Sequence, residues 1–142
     1  MTIAQVIAGR SEVWSVSADA QVSDAIDMLA RHRIGALPVE DDSNGVAGIF
    51  SERDMIRCLH KHGEAALHMK VRDMMTAPVI TVTPQTPVME ALTLMTQRRF
   101  RHLPVVEGQR MVAFISIGDL VKHRLDAIEA EAGALREYIQ QA

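Results

Sequence analysis

The sequence of 142 residues is 48% hydrophobic and 23% charged, and its 15 Lys+Arg against 18 Asp+Glu leave a formal charge of −3. That composition excludes a disordered or fibrous chain, and the acidic balance argues against a general binder of nucleic acid or of anionic membranes. Cys58 is the only cysteine, which excludes internal disulfides and any site built from several thiolates.

From the N-terminus, Met1 to Gly9 lacks the basic leader and long apolar run of a signal peptide. No later stretch approaches the roughly 18 apolar residues of a membrane span. A cytoplasmic chain, mature throughout, is the expectation. Ile3, Val6 and Ile7 have the spacing of a short helix, and Val13 to Val16 is a β-prone run. Val22, Ala25, Ile26, Leu29 and Ala30 recur at i, i+3, i+4, i+7 and i+8, the apolar face of a helix. Strands follow over Ala36 to Val39 and Val46 to Phe50, joined by the turn-prone Glu40-Asp41-Asp42-Ser43-Asn44-Gly45. A second helix runs from Ser51 to about Leu59. His60 to Lys70 is polar and histidine-rich and is expected to be a loop, after which Val71, Met74 and Met75 resume helical spacing, matching Ile3, Val6 and Ile7.

The same order then repeats. A strand is expected at Val79 to Val82, a helix with Thr86 as N-cap and Pro87 in its first turn, and an apolar face of Val88, Ala91, Leu92 and Met95. Strands at Leu103 to Val106 and Met111 to Ile115 flank a Glu107-Gly108-Gln109 turn, and a helix starts at Ser116. Val16 through Val39 align without a gap on Val82 through Val105, 66 positions on. Beyond the turn, Gly48 to Asp54 fall on Ala113 to Asp119. Each copy of about 60 residues buries only a marginal core, so each needs the other, and one pseudo-twofold α/β domain is expected. The expected boundaries are 1–66 for the first repeat with the N-terminal helix, 67–125 for the second repeat, and 126–142 for a C-terminal helix. In that last helix Val121, Leu125, Ile128, Ala132, Leu135 and Ile139 alternate in steps of four and three, a heptad pattern that includes the helix-weakening Gly133. It packs either on its own domain or on a second subunit.

Gly35-Ala36-Leu37-Pro38-Val39 followed by Gly48-Ile49-Phe50-Ser51-Glu52-Arg53-Asp54, then His102-Leu103-Pro104-Val105 with Ser116 and Asp119, resembles the cystathionine β-synthase (CBS) domain pair over about residues 2 to 125. The resemblance implies two β-α-β-β-α repeats packed with pseudo-twofold symmetry and often dimerising as a disc. It further implies adenosine-containing ligands bound in clefts between the repeats, and a regulatory rather than catalytic role.

Ser51-x-x-Asp54 and Ser116-x-x-Asp119 have a physical reading of their own. A serine opening a helix offers its hydroxyl and the first-turn N–H groups to an anion, and the acid three residues on can accept bonds from both hydroxyls of a ribose. The same spacing is a capping box, in which both side chains satisfy the helix end and bind nothing. Arg98-Arg99-Phe100-Arg101-His102 concentrates positive charge able to neutralise a diphosphate or triphosphate, or is a solvated helix end. A nucleic-acid surface is disfavoured there by the acidic total. The family places Arg101 and His102 toward ligand phosphates, and Arg53 is a candidate for the same role in the other cleft. By resemblance the adenine slot is Val16, Ile34 and Val79, with backbone near Thr76 and Pro78; core packing is the alternative for each apolar member.

Cys58, His60, His62 and His68 are metal-ligand types without the spacing of a zinc motif, and no metal is expected. No Walker loop, nucleophile elbow or paired His-Glu zinc motif occurs, so no catalysis is expected. The expectation is therefore an adenine-nucleotide sensor (AMP, ADP, ATP or NAD(H)) that homodimerises and signals to an unknown protein target. The rival is a ligand-free interaction module whose Ser-x-x-Asp motifs only cap helices. Ala113 at the place of Gly48, and Gly118 before Asp119, set the second site apart from the first.

Overall fold

The computed structural model describes residues 1–141 except Ser11 and Asn44. The chain forms α1 (Ile3–Ile7), β1 (Val16–Ser17), α2 (Val22–His32), β2 (Ala36–Glu40), β3 (Val46–Ser51), α3 (Glu52–His62), α4 (Val71–Met74), α5 (Val88–Arg98), β4 (His102–Glu107), β5 (Arg110–Ser116) and α6 (Ile117–Gln141). In the first repeat β1 lies parallel to β2 and β2 pairs antiparallel with β3. β4 and β5 form the matching hairpin of the second repeat.

The repeats agree in detail. The ladder shifts register between Val39 and Glu40 in one hairpin and between Val105 and Val106 in the other, which are equivalent positions. Val16 pairs with Val39 as Val82 does with Val105. α2 and α5 both end on an arginine in the left-handed region, Arg33 at φ 54° and Arg99 at φ 58°.

Two cores result, one around Val22, Leu29, Leu37, Val39 and Phe50, the other around Val88, Met95, Leu103, Val105 and Ile115. The short helices cross over between them. Ile3 of α1 is fully buried in the second core, and Val71 of α4 in the first. Backbone bonds tie each in place: Ile3 N–H donates to Thr86 O and Val88 N–H to Met1 O, while Val71 N–H donates to Ala20 O and Val22 N–H to Met69 O. The exchange holds the repeats together, because neither core closes without a segment from the other half of the chain.

Several local expectations change. Of the expected strand Val13 to Val16, only Val16 is in a strand, and of Val79 to Val82 only Val82 makes a ladder contact, a single parallel bridge. The residues before them leave the sheet to wall the clefts described below. Pro87, not Thr86, occupies the N-cap of α5. The Thr86 hydroxyl is engaged earlier, accepting a 3.0 Å bond from Thr83 N–H. The expected loop His60 to Lys70 is helical: α3 continues to His62 and a 3-10 segment spans Gly63–His68. Cys58, one of the metal-ligand types noted in the sequence, is buried in the first core, where burial raises its thiol pKa. Asn44 of the first turn lies outside the described residues.

The last helix packs on its own domain only near its start, where Ile117 and Leu120 join the second core, and not along the length over which the heptad pattern runs. α6 is a single helix of 25 residues whose only buried residue is Leu120, near its start. No helix among the described residues is long and apolar enough to cross a membrane.

Candidate functional site

Two clefts open between the repeats, of about 290 and 390 Å³, near the lower end of the range for small-ligand sites. Each joins one repeat's Ser-x-x-Asp to wall residues of the other. The first holds Ser51, Arg53 and Asp54 with Thr76, Pro78 and Val79, and takes Arg101 and His102 from the far side. The second holds Ser116 and Asp119 with Val13, Trp14 and Ile34.

At the first cleft Ser51 ends β3 and caps α3. Its hydroxyl accepts from Asp54 N–H at 3.3 Å and donates to Asp54 Oδ2 at 3.0 Å, and Ser51 N–H donates to the same oxygen at 2.8 Å. Asp54 Oδ1 accepts from Arg57 Nη2 at 2.7 Å and from the Thr76 hydroxyl at 2.8 Å. Asp54 is 4% exposed, and four donors satisfy its carboxylate, as a buried charge requires. Glu52 N–H is taken by Gly35 O at 3.0 Å. The first turn of α3 is thus already largely hydrogen-bonded, and the expected open anion site at the helix end is reduced.

Thr76 reaches Asp54 because its strand-like segment bridges Ile49 in β3, with N–H to O distances of 3.0 and 2.8 Å. Gly48 permits that approach: a Cβ there would lie under 3 Å from Met75 Sδ and Thr76 O. Ile49, Val79, Ile80 and Phe100 give the cleft an apolar wall, and Arg53, Arg57, Arg99 and Arg101 outnumber Glu52 and Asp54. The first cleft is basic.

The second cleft repeats the cap, with Ser116 N–H donating to Asp119 Oδ2 at 2.9 Å and Asp119 N–H to Ser116 Oγ at 3.1 Å. It differs in charge. Arg10 Nη2 lies 3.2 Å from Asp119 Oδ1, and the cleft's remaining charge is Glu12. Partial burial pushes the Asp119 carboxyl up, but the Ser116 N–H, the Arg10 hydrogen bond and charge, and the Ser116 hydroxyl outweigh it and hold the group below the usual carboxylate range. Trp14 stacks on His32 with centroids 4.0 Å apart at the cleft's edge.

His102 lines both clefts and stacks on Phe114 at 5.2 Å. Burial lowers its pKa, and Arg101 lowers it further against the opposing pull of Asp119 and Glu52.

Of the residues assigned from sequence, Ser51, Arg53, Asp54, Thr76, Pro78, Val79, Arg101 and His102 come together in the first cleft, and Ser116, Asp119 and Ile34 in the second, so Arg53 shares a cleft with Arg101 and His102 instead of serving the other one, and Ile34 is separated from Val79. Val16 lines neither: it is buried in the first core, where pairing with Val39 holds it. Arg10, Trp14 and Arg57 were missed. Arg57 alone had a local signal, since a residue three places after Asp54 shares its helix face. Among the described residues no group of three His, Cys, Asp or Glu is placed to hold a metal ion.

The family model described as "CBS domain" matches residues 4–61 and 71–126. Among curated proteins, the chain is 38% identical over 134 residues to the mitochondrial CBS domain-containing protein CBSX3 of Arabidopsis thaliana, covering 92% of this chain and 65% of that protein's length. Among solved structures, it resembles the CBS-domain containing protein ATU1752 from Agrobacterium tumefaciens (TM-score 0.80, 35% identity, 87% of this chain and 92% of the other). It also resembles CBSX2, solved in complex with AMP (TM-score 0.77, 26% identity, 89% and 97%).

Proposed function

Since the chain belongs to the CBS-domain family, as a pair of such domains, we propose that it is a regulatory module that binds an adenosine-containing ligand, AMP, ADP, ATP or NAD(H), between its repeats. It signals to an unknown protein target as a homodimer and catalyses no reaction. The cytoplasm, a reducing compartment, suits its single buried cysteine.

The observation that carries this reading is the first cleft, where a ribose-competent acid, an apolar wall and a cluster of arginines converge from the two repeats. Asp54 is the group for the ribose hydroxyls. Of its donors Arg57 is the one a ligand exchanges most readily, because its side chain is 72% exposed. Ile49, Val79 and Ile80 supply the slot for adenine, and Arg53, Arg99 and Arg101 face the phosphates. Anion recognition falls to these guanidinium groups, since the helix end is mostly satisfied by its own cap. The AMP bound by the related CBSX2 has the same chemistry. The second cleft, with Arg10 held against Asp119, is the weaker site for a polyphosphate.

One observation favours the ligand-free interaction module: both capping boxes are fully formed. A thermal-melt screen against AMP, ADP, ATP, NAD, NADH and S-adenosylmethionine separates the two. A ligand at 100 times its dissociation constant adds about 2.7 kcal/mol, which raises the melting temperature by several degrees. A shift with at least one of them supports the sensor, and no shift with any supports the interaction module.

A further inference from the structure

Beyond Leu120, helix α6 carries an apolar stripe that the described residues leave open: Val121, Leu125, Ile128, Leu135 and Ile139 are each between 43% and 62% exposed. With Ala132 these positions alternate by four and three along one face. In heptad terms Val121, Ile128 and Leu135 are d positions and Leu125, Ala132 and Ile139 are a positions. Gly133 then falls at b, away from the seam, and nothing lies within 4 Å of where its Cβ would be.

The flanking charges select the occupant of that seam. Arg124 and Glu131 are g positions, and Glu129 and Arg136 are e positions. In a parallel, in-register pair each g residue meets the e residue of the following heptad on the other helix. Arg124 then faces Glu129 of the second copy, and Glu131 faces Arg136 of the second copy; all four symmetry-related contacts are opposite in sign. In a fully overlapped antiparallel pair Glu129 would face Glu129, Glu131 would face Glu131, and Lys122 would face Arg136. A one-heptad shift that relieved this would uncover two of the six apolar positions.

We propose that α6 is the dimerisation element of this protein, pairing in parallel and in register with α6 of a second copy as a two-stranded coiled coil from Val121 to Ile139. This deepens the homodimer of the proposed function but does not depend on a nucleotide, so it is tested on ligand-free full-length protein and can fail while ligand binding stands. The wild-type chain is expected to sediment as a dimer. Leu125→Glu with Leu135→Glu is expected to raise the dimer dissociation constant at least tenfold while the domain still unfolds cooperatively, because both side chains are 59% exposed and lie outside the two cores.

The sharper test separates the charges. One variant carries Arg124→Glu and Arg136→Glu, the other Glu129→Arg and Glu131→Arg. Each alone is expected to dissociate, and an equimolar mixture to form a one-to-one heterodimer. A monomeric wild type, a tetramer, a dimer insensitive to the two leucine substitutions, or charge variants that do not combine would each overturn the proposal.

Discussion

Arg10 Nη2 lies 3.2 Å from Asp119 Oδ1, whereas Asp54, the equivalent acid of the first repeat, takes its hydrogen bonds beyond the Ser51 cap from Arg57 and Thr76. A chain built from two repeats with matching hairpins and matching register shifts therefore presents two clefts of different character. The first has surplus guanidinium groups to offer a ligand, and the second spends its own arginine on its own acid.

Arg10→Ala is expected to leave the fold almost unchanged, since exposed ion pairs contribute about 0–1 kcal/mol. It frees Asp119 for a ligand hydroxyl. Calorimetric titration with AMP is expected to show a second binding event per chain in the variant that is weaker in the wild type. Identical isotherms for the two proteins would show that the pair does not govern access to this cleft.

Gly48→Ala is expected to destabilise the protein by about 1–3 kcal/mol, the usual range for overpacking a close contact. The added methyl group must push Met75 and Thr76 off β3. Thr76 then moves away from Asp54, so ligand binding at the first cleft should weaken more than the fold does. Chemical denaturation and a binding titration of the same sample check both, and unaltered affinity would count against the role given to Thr76.

Arg99→Gly separates binding from folding. Arg99 is in the left-handed region, where a non-glycine side chain is strained by roughly 1 kcal/mol, and it lines the first cleft. The variant is expected to melt at the same temperature or higher while losing affinity for ATP more than for AMP. Arg33→Gly at the equivalent position, which lines neither cleft, is the control and should leave both affinities alone.

The order of elements was legible in the sequence because each signal was local. Val22 to Ala30 and Val88 to Met95 carry their helical period, and Ser51-x-x-Asp54 and Ser116-x-x-Asp119 form the boxes that their spacing predicted. What stayed hidden depended on distant partners. Val13 to Val16 and Val79 to Val82 have strand composition, but most of each was drawn out of the sheet to wall a cleft. Nothing near Ile3 announces that it completes the core of Leu103, and nothing near Arg10 points to an acid 109 positions away. The crossing of α1 and α4 is equally invisible locally, because the two helices look alike and distant partners, among them Pro87 for Thr2 and Lys70 for Gln21, tell them apart.

Stability should fall on acidification in a way that His102 explains. Its folded-state pKa lies below the ordinary histidine value, chiefly through burial. In the window between the folded value and about 6.5 the unfolded chain therefore binds the extra proton. The neutral ring's contribution is complete above that window and declines as pH drops through it. Denaturant melts from pH 7.5 to 5 should show this slope, and His102→Gln should flatten it; an equal slope in both proteins would place the titrating group elsewhere.

Equilibrium dialysis of the full chain against labelled AMP, ATP and NAD puts the central claim to its most direct test. Saturable uptake of at least one of them, lost on replacing Asp54 with alanine in protein that still melts cooperatively, is the predicted result. Dialysis at millimolar ligand that leaves equal concentrations on both sides of the membrane for every compound would contradict it.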